Sequence, residues 1–142
     1  MTKKEVFEII KNEPVYKKFE YRGYIYEVVR NRTMLHYCGY VYTKFNEPNG
    51  NMIIEDRNRI YCHGGITYSD DKKIGFDTAH YTDIVPMLID DRTSKLFDDM
   101  FGFRLEPTYK DIDFCENECR NIIDQLIEMN NSTNVVPLKK RI

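Results

Sequence analysis

The sequence predicts an α+β domain: an antiparallel sheet of four to five strands, a long C-terminal helix packed on one face, and a short N-terminal helix. Three observations lead there. Ile112, Cys115, Cys119, Ile122, Leu126 and Met129 recur at steps of three and four, the spacing of an apolar stripe on one helix face. Tyr24 to Val29 and Leu35 to Tyr42 are rich in β-branched and aromatic residues, which suit a pleated, half-buried strand. Turn formers such as Asn46-Glu47-Pro48-Asn49-Gly50-Asn51 separate the periodic runs, so that segment is a loop.

Taken in order, the first element is a short helix. Thr2 is placed to cap it with Glu5 three residues on, and Val6, Phe7 and Ile10 share a face before Pro14 ends it. From Tyr21 to Thr43 the composition predicts a strand pair joined by the polar Asn31-Arg32-Thr33. Ile60 to Tyr68 and Ile74 to Thr78 are two further strands around the charged tip Ser69-Asp70-Asp71-Lys72-Lys73. Between residues 84 and 107 only Leu96, Phe97, Met100 and Phe101 show helical spacing, with Gly102 as a stop. The C-terminal helix is expected from about Asp111 to Asn130. One domain thus spans 1–130, and 131–142, with Pro137 and Lys139-Lys140-Arg141, is a tail without periodicity. Stacking the elements with the helix over one sheet face buries each apolar stripe once.

Composition narrows the functional classes. With 142 residues, 42% hydrophobic and 31% charged, including eleven Tyr and eight Phe, the chain is large and apolar enough to bury a core. A net charge of −2 supplies no basic field, so duplex nucleic acid is unsupported as a partner. Cys38, Cys62, Cys115 and Cys119 form no Cys-x-x-Cys pair. The N-terminus shows an amphipathic pattern instead of an apolar signal, so a reducing cytoplasm is the expected setting. No apolar run approaches the roughly 18 residues of a membrane span.

The chemistry concentrates in Cys62-His63-Gly64-Gly65-Ile66-Thr67-Tyr68 and Ile74-Gly75-Phe76-Asp77-Thr78-Ala79-His80-Tyr81-Thr82-Asp83. Together these hold two of the three histidines and three of the seven glycines. If the two strands pair about a turn at Asp71-Lys72, Thr67 lies opposite Phe76, Ile66 opposite Asp77 and His63 opposite His80. Opposed Cβ atoms lie about 4.5–5.5 Å apart, close enough for two imidazoles to converge; a slip of one residue removes this. Three uses of the hairpin stay open. In the first, His63 and His80 act as base and acid or bind a divalent metal, with Asp77 or Asp83 orienting or ligating. Cys62, on the opposite strand face, is no co-ligand. In the second, Gly64 and Gly65 offer backbone N–H groups to an anion, His63 donates to it, and Thr67, Tyr68 and Asp77 hold the rest of a small polar ligand. In the third, the glycines allow close packing and backbone carbonyls satisfy the histidines.

Other residues weigh less. Cys115 and Cys119 sit on the helix's apolar stripe, where free cysteine behaves as a small hydrophobe. His36 has no evident partner. Tyr21, Tyr24, Tyr26, Tyr37, Tyr40 and Tyr42 are either ordinary strand formers or a stacking surface for bases. The basic end Lys139-Lys140-Arg141 is too short for a nucleic-acid arm.

Tyr37-Cys38-Gly39-Tyr40-Val41, His63-Gly64-Gly65-Ile66-Thr67-Tyr68, Gly75-Phe76-Asp77-Thr78-Ala79-His80 with Asp83, and Tyr109 together resemble a group of small uncharacterised phage and prophage proteins. The likeness covers roughly residues 21 to 128 and rests on the His-Gly-Gly-aliphatic-Thr and Gly-Phe-Asp-x-Ala-His elements. Those relatives often carry an aromatic pair where Lys73-Ile74 stand here. The resemblance implies a phage or mobile-element origin and the host cytoplasm. It also implies an accessory, anti-defence class of role, with no assigned activity. The leading expectation is an accessory protein that binds a small anionic ligand, such as a nucleotide or nucleotide signal, through residues 63–83. The alternatives are a metal-assisted hydrolase or phosphodiesterase using His63, Asp77, His80 and Asp83, and an inhibitor that meets a host protein by surface contact. The cofactor is left open, with a divalent metal as one candidate, and the oligomeric state is left open as well.

Overall fold

The computed structural model describes residues 1–44, 59–90 and 107–135, with side chains described to residue 131. The expected loop at 46–51, the helical spacing at Leu96 to Phe101 and the basic end at 139–141 lie outside the described residues.

Helix α1 (Lys3–Lys11) starts as its sequence predicts: Thr2 Oγ1 accepts from Glu5 N at 3.2 Å, and the Glu5 carboxylate accepts from Thr2 N at 3.2 Å. The chain then forms β1 (Tyr16–Tyr21), β2 (Tyr24–Arg30), β3 (Tyr37–Tyr42), β4 (Tyr68–Ser69) and β5 (Lys73–Asp77). A 3-10 turn at Pro86–Leu88 and helix α2 (Ile112–Val135) follow. The five strands make one antiparallel sheet in the order β1-β2-β3-β5-β4, so the α+β class stands. Helix α2 continues past Asn130, where the sequence placed the start of a tail.

Strand β1 is not foreseen by the sequence. Its residues Tyr-Lys-Lys-Phe-Glu-Tyr form a mostly exposed edge strand with no apolar alternation to mark it. Its hairpin to β2 turns on Arg22 and Gly23, with φ 52° and 84°, the positive values that a two-residue hairpin turn needs. The first arm of the second hairpin is also shorter than expected. Pairing there is limited to Tyr68↔Gly75 and Ser69↔Ile74, because residues 62–65 form a turn instead of extended chain.

One face of the sheet carries the core. Tyr26, Val28, Tyr37, Val41, Ile74 and Phe76 meet Cys115, Cys119, Ile122, Ile123 and Leu126 of α2. Gly39 allows this close approach: a Cβ there would lie 2.4 Å from Phe76 Cε1 and 3.0 Å from Cys119 Sγ. The two helix cysteines are core residues, with thiol pKa values raised by burial, so packing is their role. Tyr24, Tyr26 and Tyr37 are likewise buried and offer no stacking surface.

A buried ionic joint ties these layers together. Glu13, just before Pro14, accepts through Oε1 from Arg30 Nη2 at 3.2 Å and from Tyr109 Oη at 2.5 Å, and through Oε2 from Ile112 N at 2.8 Å. Arg30 also donates to Leu35 O at 2.7 Å and lies over the Tyr37 ring. The Arg30 and Glu13 side chains are only 4% and 7% exposed. Removing one partner of such a pair leaves an uncompensated buried charge. Glu13→Ala is therefore expected to cost about 3–5 kcal/mol, measured by chemical denaturation of the two chains side by side.

Candidate functional site

The site forms where three segments meet: the turn 62–65, the segment 77–84 that follows β5, and the start of α2. Gly65 N donates to Cys62 O at 2.9 Å, closing the turn around His63 and Gly64. Gly64 and Gly65 have φ of 69° and 78°, a region that favours glycine. Helix α2 anchors the turn: Glu118 Oε2 accepts from His63 N at 2.9 Å, and the Phe114 ring meets the His63 ring edge-on at 5.2 Å.

Asp83 is the centre of the cluster. Its side chain is 0% exposed. It takes His63 Nε2 at 2.7 and 2.9 Å, His80 N at 3.0 Å and Lys110 Nζ at 3.0 Å. Burial alone would raise its pKa, but these hydrogen bonds outweigh burial and hold the carboxyl below its usual range. Lys110 is itself held by Thr82 O at 3.2 Å, Thr108 O at 3.1 Å and Thr108 Oγ1. An isolated parallel bridge pairs Asp83 with Thr108. His63 is thus fixed at Nε2, and among the described residues Nδ1 has no hydrogen-bond partner.

His63 and His80 do come together, with ring centroids 5.6 Å apart and planes at 67°. The expected register is the observed one, since Tyr68↔Gly75 and Ser69↔Ile74 extrapolate to His63 opposite His80. The strand ladder stops short of them, however, and the Cys62–Gly65 turn and the 80–83 turn bring the imidazoles into contact. His80 Nε2 is buried 3.2 Å from Asp77 Oδ1, out of line for a hydrogen bond. A Cβ at Gly64 would lie 2.0 Å from that nitrogen.

Several site residues from the sequence take other roles. The Gly65 N–H belongs to the turn, so an anion meets only the Gly64 N–H, and the two-donor concavity is not formed. Thr67 Oγ1 donates to Asp77 Oδ2 at 2.9 Å, and Asp77 Oδ1 accepts from Ala79 N at 3.0 Å, which makes Asp77 a brace for the segment after β5. Tyr68 lies on the face opposite α2, with its hydroxyl on Asp70 at 2.8 Å and its ring against Tyr40 at 5.6 Å. Among the described residues no three His, Cys, Asp or Glu side chains are placed to hold a metal ion. His63, His80 and Asp83 therefore do not assemble the expected metal triad, because Asp83 already holds His63 Nε2 and His80 points toward Gly64. Cys62 is half-buried, with its thiol pushed up to about 12 by burial and the nearby Glu118.

The sequence missed His36, which precedes β3. Thr78 donates both N and Oγ1 to Tyr37 O, at 3.1 and 2.8 Å, so residue 36 lies alongside the segment that carries His80. His36 is only 8% exposed, its Nδ1 has no hydrogen-bond partner among the described residues, and Asp77, Asp83 and His80 act on it electrostatically. Extending the β3–β5 register two residues beyond Cys38↔Asp77 is the signal that finds it. Compared with protein-family models, curated proteins and solved structures, the chain finds no match.

Burial lowers the His36 pKa from its usual 6.5. Between its folded value and about 6.5 the unfolded chain binds more protons, so stability is complete above that window and falls as pH drops through it. The Asp83 contribution is lost only at lower pH, as the pH falls below the usual carboxylate range. Thermal melts at pH 7.5 and 5.5 should show lower stability at the acid value, and His36→Gln should flatten the difference.

Proposed function

We propose that this chain binds a small anionic ligand, with a nucleotide or nucleotide-derived signal as the first class to test, at the turn that presents His63. The carrying observation is that buried Asp83 holds His63 at Nε2 while Nδ1, without a partner among the described residues, is left for a ligand. In its imidazolium form the ring donates to Asp83 at one nitrogen and to an anion at the other, so one residue supplies both a hydrogen bond and a charge. The Gly64 N–H, also without a partner among the described residues, lies next to it. Tyr61 and Tyr81, 79% and 84% exposed, adjoin Cys62 and His80 in the chain and supply aromatic surface suited to a base. The phage resemblance fits an accessory protein that sequesters such a signal.

The test is a thermal-shift titration with linear and cyclic nucleotides. A ligand at about 100 times its Kd stabilises the fold by about 2.7 kcal/mol, and His63→Ala should abolish the shift while the fold persists. A shift that survives His63→Ala places the ligand elsewhere on the fold and removes this site from consideration, whereas the absence of any shift with the unaltered chain rejects nucleotide binding.

The same geometry also supports a second function, acid–base hydrolysis of a phosphodiester, because a buried carboxylate on one imidazole nitrogen fixes the tautomer of a general base at the other. In that case the nucleotide is recovered cleaved. His63→Ala and Asp83→Asn should then each lower turnover by about 100-fold or more, as measured by product chromatography. Intact ligand after prolonged incubation rejects hydrolysis and keeps binding.

A further inference from the structure

Strand β1 ends the sheet, and its outer edge carries a pattern complementary to itself. Tyr21↔Tyr24 flanks the two-residue turn, so Tyr21, Phe19 and Lys17 exchange their hydrogen bonds with β2, and Arg30 N to Val15 O at 2.8 Å continues the alternation. The amides and carbonyls of Tyr16, Lys18 and Glu20 therefore point to the free edge, and among the described residues nothing pairs with them. The side chains alternate accordingly. Lys17, Phe19 and Tyr21 lie opposite the core residues Val28, Tyr26 and Tyr24, on the α2 side, while Tyr16, Lys18 and Glu20 lie on the open face.

We propose that β1 is a homodimer interface, with two copies of this chain pairing β1 to β1 antiparallel about a two-fold axis at Phe19. The charge pattern selects that register. A two-fold perpendicular to the sheet keeps faces together, so the axis falls on a residue. On Lys18 it sets lysine against lysine, and on Glu20 it sets glutamate against glutamate; like charges directly opposed are unfavourable. On Phe19 it sets each Lys18 against Glu20 of the second copy, twice, and these are the residues whose backbone groups face the edge. Lys17 then lies opposite Tyr21. Lysines on an edge strand ordinarily discourage pairing; here each open-face lysine finds a carboxylate.

The apolar pattern agrees. Phe19 is on the core side of the sheet yet 55% exposed, because α2 packs chiefly on β3 and β2 and leaves the edge uncovered above Tyr26. Val15, at the start of the same edge, is 56% exposed. In the proposed register the two Phe19 side chains meet at the close, non-hydrogen-bonded position of the ladder. The result is one ten-stranded sheet with both α2 helices on the same side.

Sedimentation or light scattering across a concentration series reads the assembly directly. The unaltered chain should pass from monomer to dimer as concentration rises. Glu20→Lys, which opposes lysines at both pairs, should weaken the dimer about tenfold or more, and Lys18→Glu with Glu20→Lys together should restore it. Circular dichroism checks the fold of each variant, since Lys18 also lies opposite Glu27 within its own sheet. A monomer at every concentration overturns the proposal. A dimer indifferent to Glu20→Lys, or not restored by the double exchange, overturns the β1 interface.

Discussion

The carboxylate of Glu13 is the joint on which the rest of the molecule depends. Its three hydrogen bonds reach β2, the segment before α2 and the first turn of α2 itself. A helix N-terminus leaves backbone N–H groups without intrahelical partners, and α2 receives two carboxylates there, Glu13 on Ile112 N and Asp111 on Phe114 N at 2.8 Å. Fixing Tyr109 also fixes Lys110, and Lys110 reaches Asp83. A single line of contacts thus runs from the end of α1 through the start of α2 to the imidazole of His63. The orientation of that ring is set by residues seventy or more positions away from Glu13.

The two faces of the sheet meet different needs. The α2 face is closed by apolar contact. The open face is held by a polar network in which Glu27, 8% exposed, accepts from Tyr16 and from Tyr42 at 2.6 Å. Burial would raise the Glu27 carboxyl, but these tyrosines hold it below its usual range, and the bond to Glu27 pushes the Tyr42 phenol up to about 12. Lys73 lies over the rings of Tyr40, Tyr42 and Tyr68, at 4.4, 5.6 and 5.8 Å. Tyrosine suits this face because the ring covers apolar backbone while the hydroxyl finds a partner. The tyrosine-rich strands serve the layers of the fold, and a stack of bases is not needed to explain them.

How far the sequence disclosed this structure depended on the range of the forces involved. The helices were legible because caps and apolar periodicity act within a few residues: Thr2 and Glu5 mark one start, and the Ile112 to Met129 stripe marks the long helix. The register of Tyr68 and Ser69 against Gly75 and Ile74 was legible too, since one charged turn determines it, although turns beyond the ladder bring His63 to His80. Strand β1 was not, because an edge strand needs no apolar face of its own. The trimming of β4 came from the Gly64–Gly65 turn, whose double positive φ replaces extended chain. The site's main features were the least visible. That Asp83 takes His63, that Lys110 neutralises it and that His36 lies alongside the segment carrying His80 all follow from contacts between distant segments.

Gly64 has a consequence for how the site could change over time. With φ at 69° and a Cβ position 2.0 Å from His80 Nε2, it fixes the order of change: position 80 must give way before a side chain can enter at 64. A side chain at 64 is compatible only with a smaller residue at 80, and the histidine at 80 only with glycine at 64. The two positions form one inherited unit, and a lineage that gave up either would have to abandon the imidazole pair as a whole.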